Sequence, residues 1–344
     1  MVDDVIFIKN FIVGHSMRLS MFNTFTSLKG LSIAPTKFAS TIVMLKRFRS
    51  LKEGLQEMIL SDEWSSYKED NVDSAQFVKK TLLKDNWWMK VDYILIFTAL
   101  IYDVLIKTDT DMATLHLIYE MWDSMIENVR KIIYQHERKT KVEHSSFFEA
   151  LKSILVDHWT KGSTSLHCLA HSLNPRYYSH EWLNEDSQRR APHQDVELTQ
   201  ERNKCFKRYF DDVDVRRQVD IEFANFSEGM KDFADEDSLR DRDKMDAKSW
   251  WIVHGVYAPT LQKIALKLLG QPCSSSCCKR NWSTYSSIHS LNKMTPKRTE
   301  DLVFVHSNLC LLSKNSSKHK DGEIKLWNIA EDDISLHDNE APDW

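Results

Sequence analysis

Large apolar residues recur at helical spacing through much of this chain, and this regularity constrains its fold more than any other feature. Between Asp73 and about Gly162 they return every three or four residues, which places them on one face of successive helices. No segment alternates apolar and polar residues with the two-residue period of a strand over a useful length. Glycine and proline, which interrupt helices, number only 8 and 7 among 344 residues. The pattern therefore predicts a mainly α fold with little or no sheet.

Shifts in composition predict four regions along the chain. Residues 1–170 carry repeated apolar stripes, and helices of this kind bury their stripes against one another in a bundle. Residues 171–245 are rich in charge and poor in apolar side chains, which indicates a connector with short helices at about Glu201–Phe210 and Val215–Phe226. Residues 246–314 become apolar and helical again. We expect the polar tail, residues 315–344, to be disordered.

Charge and segment length exclude several classes of protein. Lysine and arginine number 46 against 50 aspartates and glutamates, so no global positive field attracts the chain to nucleic acid or to an acidic membrane. The longest apolar run, Tyr93–Tyr102, is too short to cross a bilayer, and acidic residues precede the first apolar stretch, unlike in a signal peptide. Six cysteines without paired metal-ligand spacing indicate reduced thiols in a nuclear or cytoplasmic protein.

Two clusters have the residue types of a metal site. Cys168 and His171 are spaced so that both reach one metal from a helix, but only two of four ligands are evident. The aspartates between Asp235 and Asp246 lack the glycine and terminal glutamate of a calcium-binding loop. We therefore expect no metal site and no cofactor. The glycine-rich phosphate loop and the nucleophile-elbow and zinc-hydrolase motifs are also missing from the sequence.

Several motifs in the second half of the chain occur together. Trp250-Trp251 is followed by His254-Gly255, a Pro272-Cys-Ser-Ser-Ser cluster runs into Arg280-Asn-Trp-Ser283, and Asn308-Leu309 comes later. Together with the stretch SLHCLAHSLNPRYYSHEWL, these motifs resemble the C-terminal half of plant hAT-superfamily transposases. Upstream, Pro35–Ser40 followed by MLKR resembles the signature that opens the helical insertion of that family, so residues 1–170 resemble the insertion.

The resemblance implies a ribonuclease-H-like core that cuts and joins DNA with an acidic triad and two divalent metals, which carboxylates must hold. The first two aspartates of the family's triad would lie upstream of the first residue of this chain. Lys279 stands where the family has its glutamate, and a charged lysine offers no lone pair to a metal. The family's N-terminal zinc-finger module is missing from the sequence as well. We therefore expect a truncated, catalytically incompetent relative that is not an enzyme.

The resemblance also identifies residues 246–314 as similar to the family's C-terminal dimerisation region. We expect the chain to form homodimers, or heterodimers with related chains, in the nucleus, with no membrane partner and no small-molecule substrate. The alternatives are a DNA-binding regulator and a transposase or nuclease fragment completed by an upstream segment. Residual phosphate contact, weak and sensitive to salt, would involve Lys279, Arg280, Lys297 and Arg298. The residues expected in the dimer interface or in the core beside it are Trp250, Trp251, Leu261, Ile264, Leu268, Trp282, Tyr285, Ile288, Leu302, Val305, Leu309 and Leu312.

Overall fold

Helices make up the regular structure of the described part of the chain. The computed structural model describes residues 1–26, 40–66, 71–187, 189–275, 279, 282, 284–286, 288, 289 and 295–314, without the side chains of 310–314. Within these ranges no residue lies in a strand, which confirms the mainly α prediction. The ribonuclease-H-like core and the disorder of the tail stay predictions, and Pro35 to Ala39 of the upstream signature lie outside these ranges.

The described residues form seventeen α-helices in chain order. They are α1 Val2–Val13, α2 Ser16–Phe25, α3 Ser40–Ser50, α4 Lys52–Leu60, α5 Asp62–Ser66, α6 Val72–Leu82, α7 Asp85–Thr108, α8 Ile118–Glu137, α9 Ser146–Gly162, α10 Ser165–Ser172, α11 His180–Asn184, α12 Val196–Tyr209, α13 Val213–Glu228, α14 Glu236–Lys244, α15 Ala247–His254, α16 Pro259–Leu268 and a last described helix, Pro296–Lys314. Short 3₁₀ helices span Pro175–Tyr178, Pro192–Gln194, Lys231–Ala234 and Gly255–Tyr257.

The chain forms two compact units. Unit one joins the described residues up to Leu95 with those after Ser275, and unit two runs from Ile96 to Ser275. These limits differ from the predicted regions, whose boundaries at 170 and 245 both fall within unit two. Within the predicted connector, sparse apolar residues such as Phe206 and Phe226 have helical spacing and lie in the core of unit two.

The core of unit one is built from the apolar stripes of α1 to α4 and α6 with the start of α7. The Phe48 ring stacks on Trp88, with 5.5 Å between ring centroids. The indole of Trp88 donates a hydrogen bond to the Leu82 carbonyl at 2.8 Å, and that of Trp87 donates to Asp4 at 3.0 Å. Both tryptophans therefore bury their rings while their indole N–H groups remain hydrogen-bonded, as is usual for buried indoles.

Helix starts were harder to predict than helices. The sequence offers Asp73, Ser74 and Asp111 as N-cap residues. The α6 helix, however, begins at Val72, and its cap is Asn71, whose side chain accepts a hydrogen bond from the Ser74 backbone N–H at 3.1 Å. Asp111 lies in the loop before α8, whose N-cap position is Leu117. Asn is as good a cap as Asp, so composition alone does not choose between neighbouring candidates.

In unit two, α13 and α16 are joined by a buried carboxylate. Glu222 is buried on α13, and it accepts hydrogen bonds from the backbone N–H groups of Thr260 at 3.1 Å and Leu261 at 2.8 Å. These N–H groups belong to the first turn of α16, where a helix leaves donors unpaired and favours negative charge. The side chain of Glu222 on α13 therefore caps the N-terminus of α16.

The C-cap of α13 is Gly229, whose φ of +61° favours a residue without a side chain.

None of the helices in the described residues is both long enough and apolar enough to cross a bilayer. The apolar run Tyr93–Tyr102 lies inside α7, which is longer than the run, and most of its side chains are partly exposed.

Candidate functional site

The paired tryptophans of α15 are core residues. Trp250 and Trp251 have no exposed surface. The Trp250 indole donates to the Ser238 carbonyl at 2.9 Å, and the Trp251 indole donates to the Leu173 carbonyl at 2.7 Å. Both rings pack against Phe226, and the Trp251 ring centroid lies 4.8 Å from that of Phe226. These tryptophans therefore hold unit two together and offer no surface to a second chain.

The contacts of the His254-Gly255 pair beside this core explain why these two residue types follow the tryptophans. A Cβ atom at Gly255 would lie 2.6 Å from Cε3 of Trp251, which is closer than two carbon atoms approach. The imidazole of His254 lies 3.1 Å from a carboxylate oxygen of Asp241 on α14. The motif thus lets the chain turn directly against the buried indole while it pairs α15 with α14.

The α16 residues of the predicted set also face inward. Leu261 and Ile264 are buried in the core of unit two, and Leu268 packs against that core while partly exposed. Of the residues predicted for the interface or the core beside it, those on α15 and α16 therefore belong to the core.

A run of apolar side chains on the other side of α15 is open to solvent. Ile252, Val253, Val256 and Tyr257 are each 57 to 60% exposed, in the last turn of α15 and the 3₁₀ helix that follows. Neighbouring apolar side chains at this exposure mark interaction surfaces more often than scattered ones do. We call these four residues the α15 patch. The set of interface residues predicted from the sequence does not include this patch, although residues that follow two inward tryptophans on a helix turn outward.

A second exposed apolar surface lies on the last described helix. Leu302, Val305 and Leu309 recur at the predicted three- and four-residue spacing and are 41, 51 and 60% exposed. Phe304 is 70% exposed on the same helix. We call these four residues the last-helix patch. The side chain of Leu312, predicted to continue the stripe, lies outside the described residues.

The Trp282 segment places its largest side chain in solvent. Trp282 is 71% exposed, and its ring stacks on Tyr285 with 5.6 Å between centroids. Tyr285 in turn stacks on His289 at 5.8 Å, so the three rings form a ladder with helical spacing. Tyr285 and Ile288 are partly buried. Of the three side chains predicted to share an apolar face, Trp282 therefore has most of its surface open to solvent.

The predicted phosphate contacts are surface cations. Lys279, Lys297 and Arg298 are exposed, and Arg280 lies outside the described residues. Lys297 and Arg298 stand in the first turn of their helix, where the helix dipole opposes positive charge and leaves them without electrostatic support from their own backbone.

The candidate metal ligands have other partners. The thiol of Cys168 is buried, and burial raises its pKa to about 12, which keeps it protonated. Among the acidic residues, Asp235 and Asp246 accept hydrogen bonds from the starts of α14 and α15, and Asp243 pairs with Arg176 at 3.5 Å. In the ranges that the structure describes, no three side chains of the metal-binding types converge. Helix capping and ion pairing account for much of the acidic run.

A family comparison covers this part of the chain. Residues 229–309 match the model of the hAT family C-terminal dimerisation region. The match begins at Gly229, before the predicted start at 246, and it includes both apolar patches and the paired tryptophans. No curated protein and no solved structure matches the chain. The chain thus carries a region of the hAT dimerisation type.

Proposed function

We propose that this chain associates with a second copy of itself, or with a related hAT-type chain, through apolar side chains exposed within residues 229–309. The family match to a dimerisation region is the observation that carries the proposal. Burial divides the region into two kinds of residue. The tryptophans of α15 and the stripe of α16 stabilise the fold, and the α15 patch and the last-helix patch are available to a partner.

Because both patches are exposed to water, covering them with a partner would be favourable in free energy. Transfer of apolar surface out of water contributes about 25 cal/mol for each Å² buried. Association also costs translational and rotational freedom, so one side chain does not suffice and several must be covered together. The α15 patch and the last-helix patch each offer four large apolar side chains, and Trp282 adds a side chain of the kind that dominates interfaces.

We propose further that the role is not catalytic and that the protein acts in the nucleus. Lys279 supports the first point, because it is exposed and occupies the position where the resemblance expects a metal-binding glutamate. The family resemblance supports the second. A DNA cleavage assay with Mg²⁺ or Mn²⁺ distinguishes this non-catalytic role from that of a nuclease fragment. Metal-dependent cleavage that is lost when a carboxylate of this chain is removed by mutation would refute the non-catalytic role.

Leu309→Asp should weaken self-association about tenfold or more without unfolding the protein. Leu309 is 60% exposed, so an aspartate there is hydrated in the monomer and becomes an unpaired buried charge only in the complex. The measurement is the molar mass by light scattering after gel filtration at several loading concentrations. Val253→Asp makes the same test of the α15 patch.

The matched control is Leu60→Asp. Leu60 is 62% exposed at the end of α4 and lies outside the matched region, so the same change in chemistry should leave the mass unchanged. Parent-like association of both Leu309→Asp and Val253→Asp would contradict the proposal, as would equal weakening by all three substitutions.

A further inference from the structure

A groove in unit two is lined by cationic side chains and has no assigned role. It lies between α12 and α13 and has a volume of about 690 Å³. Its lining includes Arg202 and Lys207 from α12, and Arg216 and Arg217 from α13. The volume falls within the range of small-ligand sites, which is roughly 300 to 1,000 Å³.

Arg202 in the wall of this groove is buried without a full set of partners. Its side chain belongs to a residue that is only 8% exposed, and its guanidinium lies over the Phe223 ring at 4.0 Å from the centroid. Its Nη1 atom is buried and finds no hydrogen-bond partner among the described residues. A buried charged donor that lacks a partner is costly, so proteins keep one mainly where something else pairs with it.

The other charged groups of the groove are mostly engaged with protein atoms. Arg216 donates to the Phe210 carbonyl at 2.6 Å, and Arg217 pairs with Asp214 at 2.7 Å. The Glu228 carboxylate lies 3.0 Å from the His193 imidazole, which also lines the groove.

Asp220 is the remaining carboxylate in the lining. Burial lowers the pKa of Arg202, and the negative charge of Asp220 offsets part of that effect. With histidine neutral, the lining holds four cations and two carboxylates, and Asp214 beside Arg217 adds a third carboxylate, so positive charges exceed negative ones by one.

We propose that this groove binds the phosphate group of a nucleotide, with the guanidinium of Arg202 as its buried donor and Lys207 and Arg217 at its sides. Guanidinium forks fit phosphate oxygens with two parallel hydrogen bonds, and such charge-assisted bonds are the strong ones. The groove is larger than one phosphate, and Phe206, Val213 and Ala224 supply an apolar wall for the rest of the ligand. This site is independent of the proposed dimerisation surface.

The test is equilibrium binding of inorganic phosphate to the full chain at low ionic strength, by calorimetric titration. We expect saturable binding that Arg202→Gln weakens about tenfold or more, because that change removes the charge and keeps most of the side chain. The matched control is Arg208→Gln, an exposed arginine of the same helix that does not line the groove. Phosphate binding that is undetectable in the parent, or equal in the parent and a folded Arg202→Gln variant, would overturn the proposal.

A second variant keeps the test decisive if Arg202→Gln does not fold. Lys207→Gln combined with Arg217→Gln changes only exposed side chains of the groove, so the fold should survive. Affinity for phosphate should then fall about threefold or more, and an unchanged affinity would overturn the proposal.

Competition identifies the source of the phosphate group. Adenosine monophosphate and a short single-stranded oligonucleotide are each titrated against bound phosphate. Displacement at lower concentration by the mononucleotide indicates a free nucleotide, and displacement at lower concentration by the strand indicates a nucleic acid. Failure of both to displace phosphate would overturn the assignment to a nucleotide.

Discussion

Trp251→Ala is expected to destabilise unit two by about 3 to 5 kcal/mol, the usual cost of emptying a buried tryptophan site. The side chain has no exposed surface, and its loss would leave a cavity beside Phe226 and remove the donor of the Leu173 carbonyl. Gly255 cannot fill the space because it has no side chain. Urea unfolding followed by circular dichroism measures the effect as a change in the free energy of unfolding.

Trp282→Ala is the matched control for that substitution. It deletes the same side chain from a site that is 71% exposed, where the ring contacts chiefly Tyr285 in the described structure. The free energy of unfolding should fall by less than about 1 kcal/mol. Comparable losses for the two variants would contradict the division of the matched region into core and surface.

Mild acid is expected to destabilise the protein by about 2 to 4 kcal/mol between pH 7 and pH 5. Burial lowers the pKa of His116 to about 4 and that of His171 to about 3. His171 stacks on Tyr177 with 4.0 Å between ring centroids, so protonation would place a charge inside a closed aromatic cluster.

The sign follows from the protons that each state binds. Unfolded histidine takes up a proton near pH 6.5, and the two folded histidines do so only far below that pH. Their stabilisation is therefore complete above pH 6.5 and decreases by up to about 1.4 kcal/mol per pH unit for each group as the pH falls. Glu120 and Asp123 act in the opposite direction, because burial raises their pKa values, and they reduce the net loss.

The pH effect is measured by urea unfolding at several pH values. His171→Phe keeps a ring in the stack and removes one titrating group, so it should reduce the pH slope by about half. His180→Phe, at an exposed position on α11, should leave the slope unchanged. A slope unaffected by His171→Phe would show that the buried histidines do not cause the acid sensitivity.

The sequence predicted helices well because their periodicity is local. The stripe Val5, Ile8, Phe11 and Ile12 predicted α1, and the same four residues are its buried face. The apolar residues from Phe38 to Leu55 keep one helical period in the sequence, yet α3 ends at Ser50 and α4 begins at Lys52. Both helices keep the apolar spacing across the break, so periodicity alone does not reveal it.

The candidate interface was less predictable, because periodicity gives a helix an apolar face without saying what covers it. Leu261 on α16 and Leu309 on the last described helix have the same kind of spacing, but the first is fully buried and the second is 60% exposed. Long-range packing decides between them. The Arg202 groove had no sequence signal at all, since its cations come from two helices that each look like an ordinary solvated surface.

Sedimentation equilibrium of the intact chain over a wide range of concentrations tests the proposed association most directly. The exposed apolar residues of the matched region predict a mass that rises with concentration towards twice the chain mass of 40.4 kDa. A mass that stays at one chain throughout the range, for protein that is folded by circular dichroism, would contradict self-association through this surface.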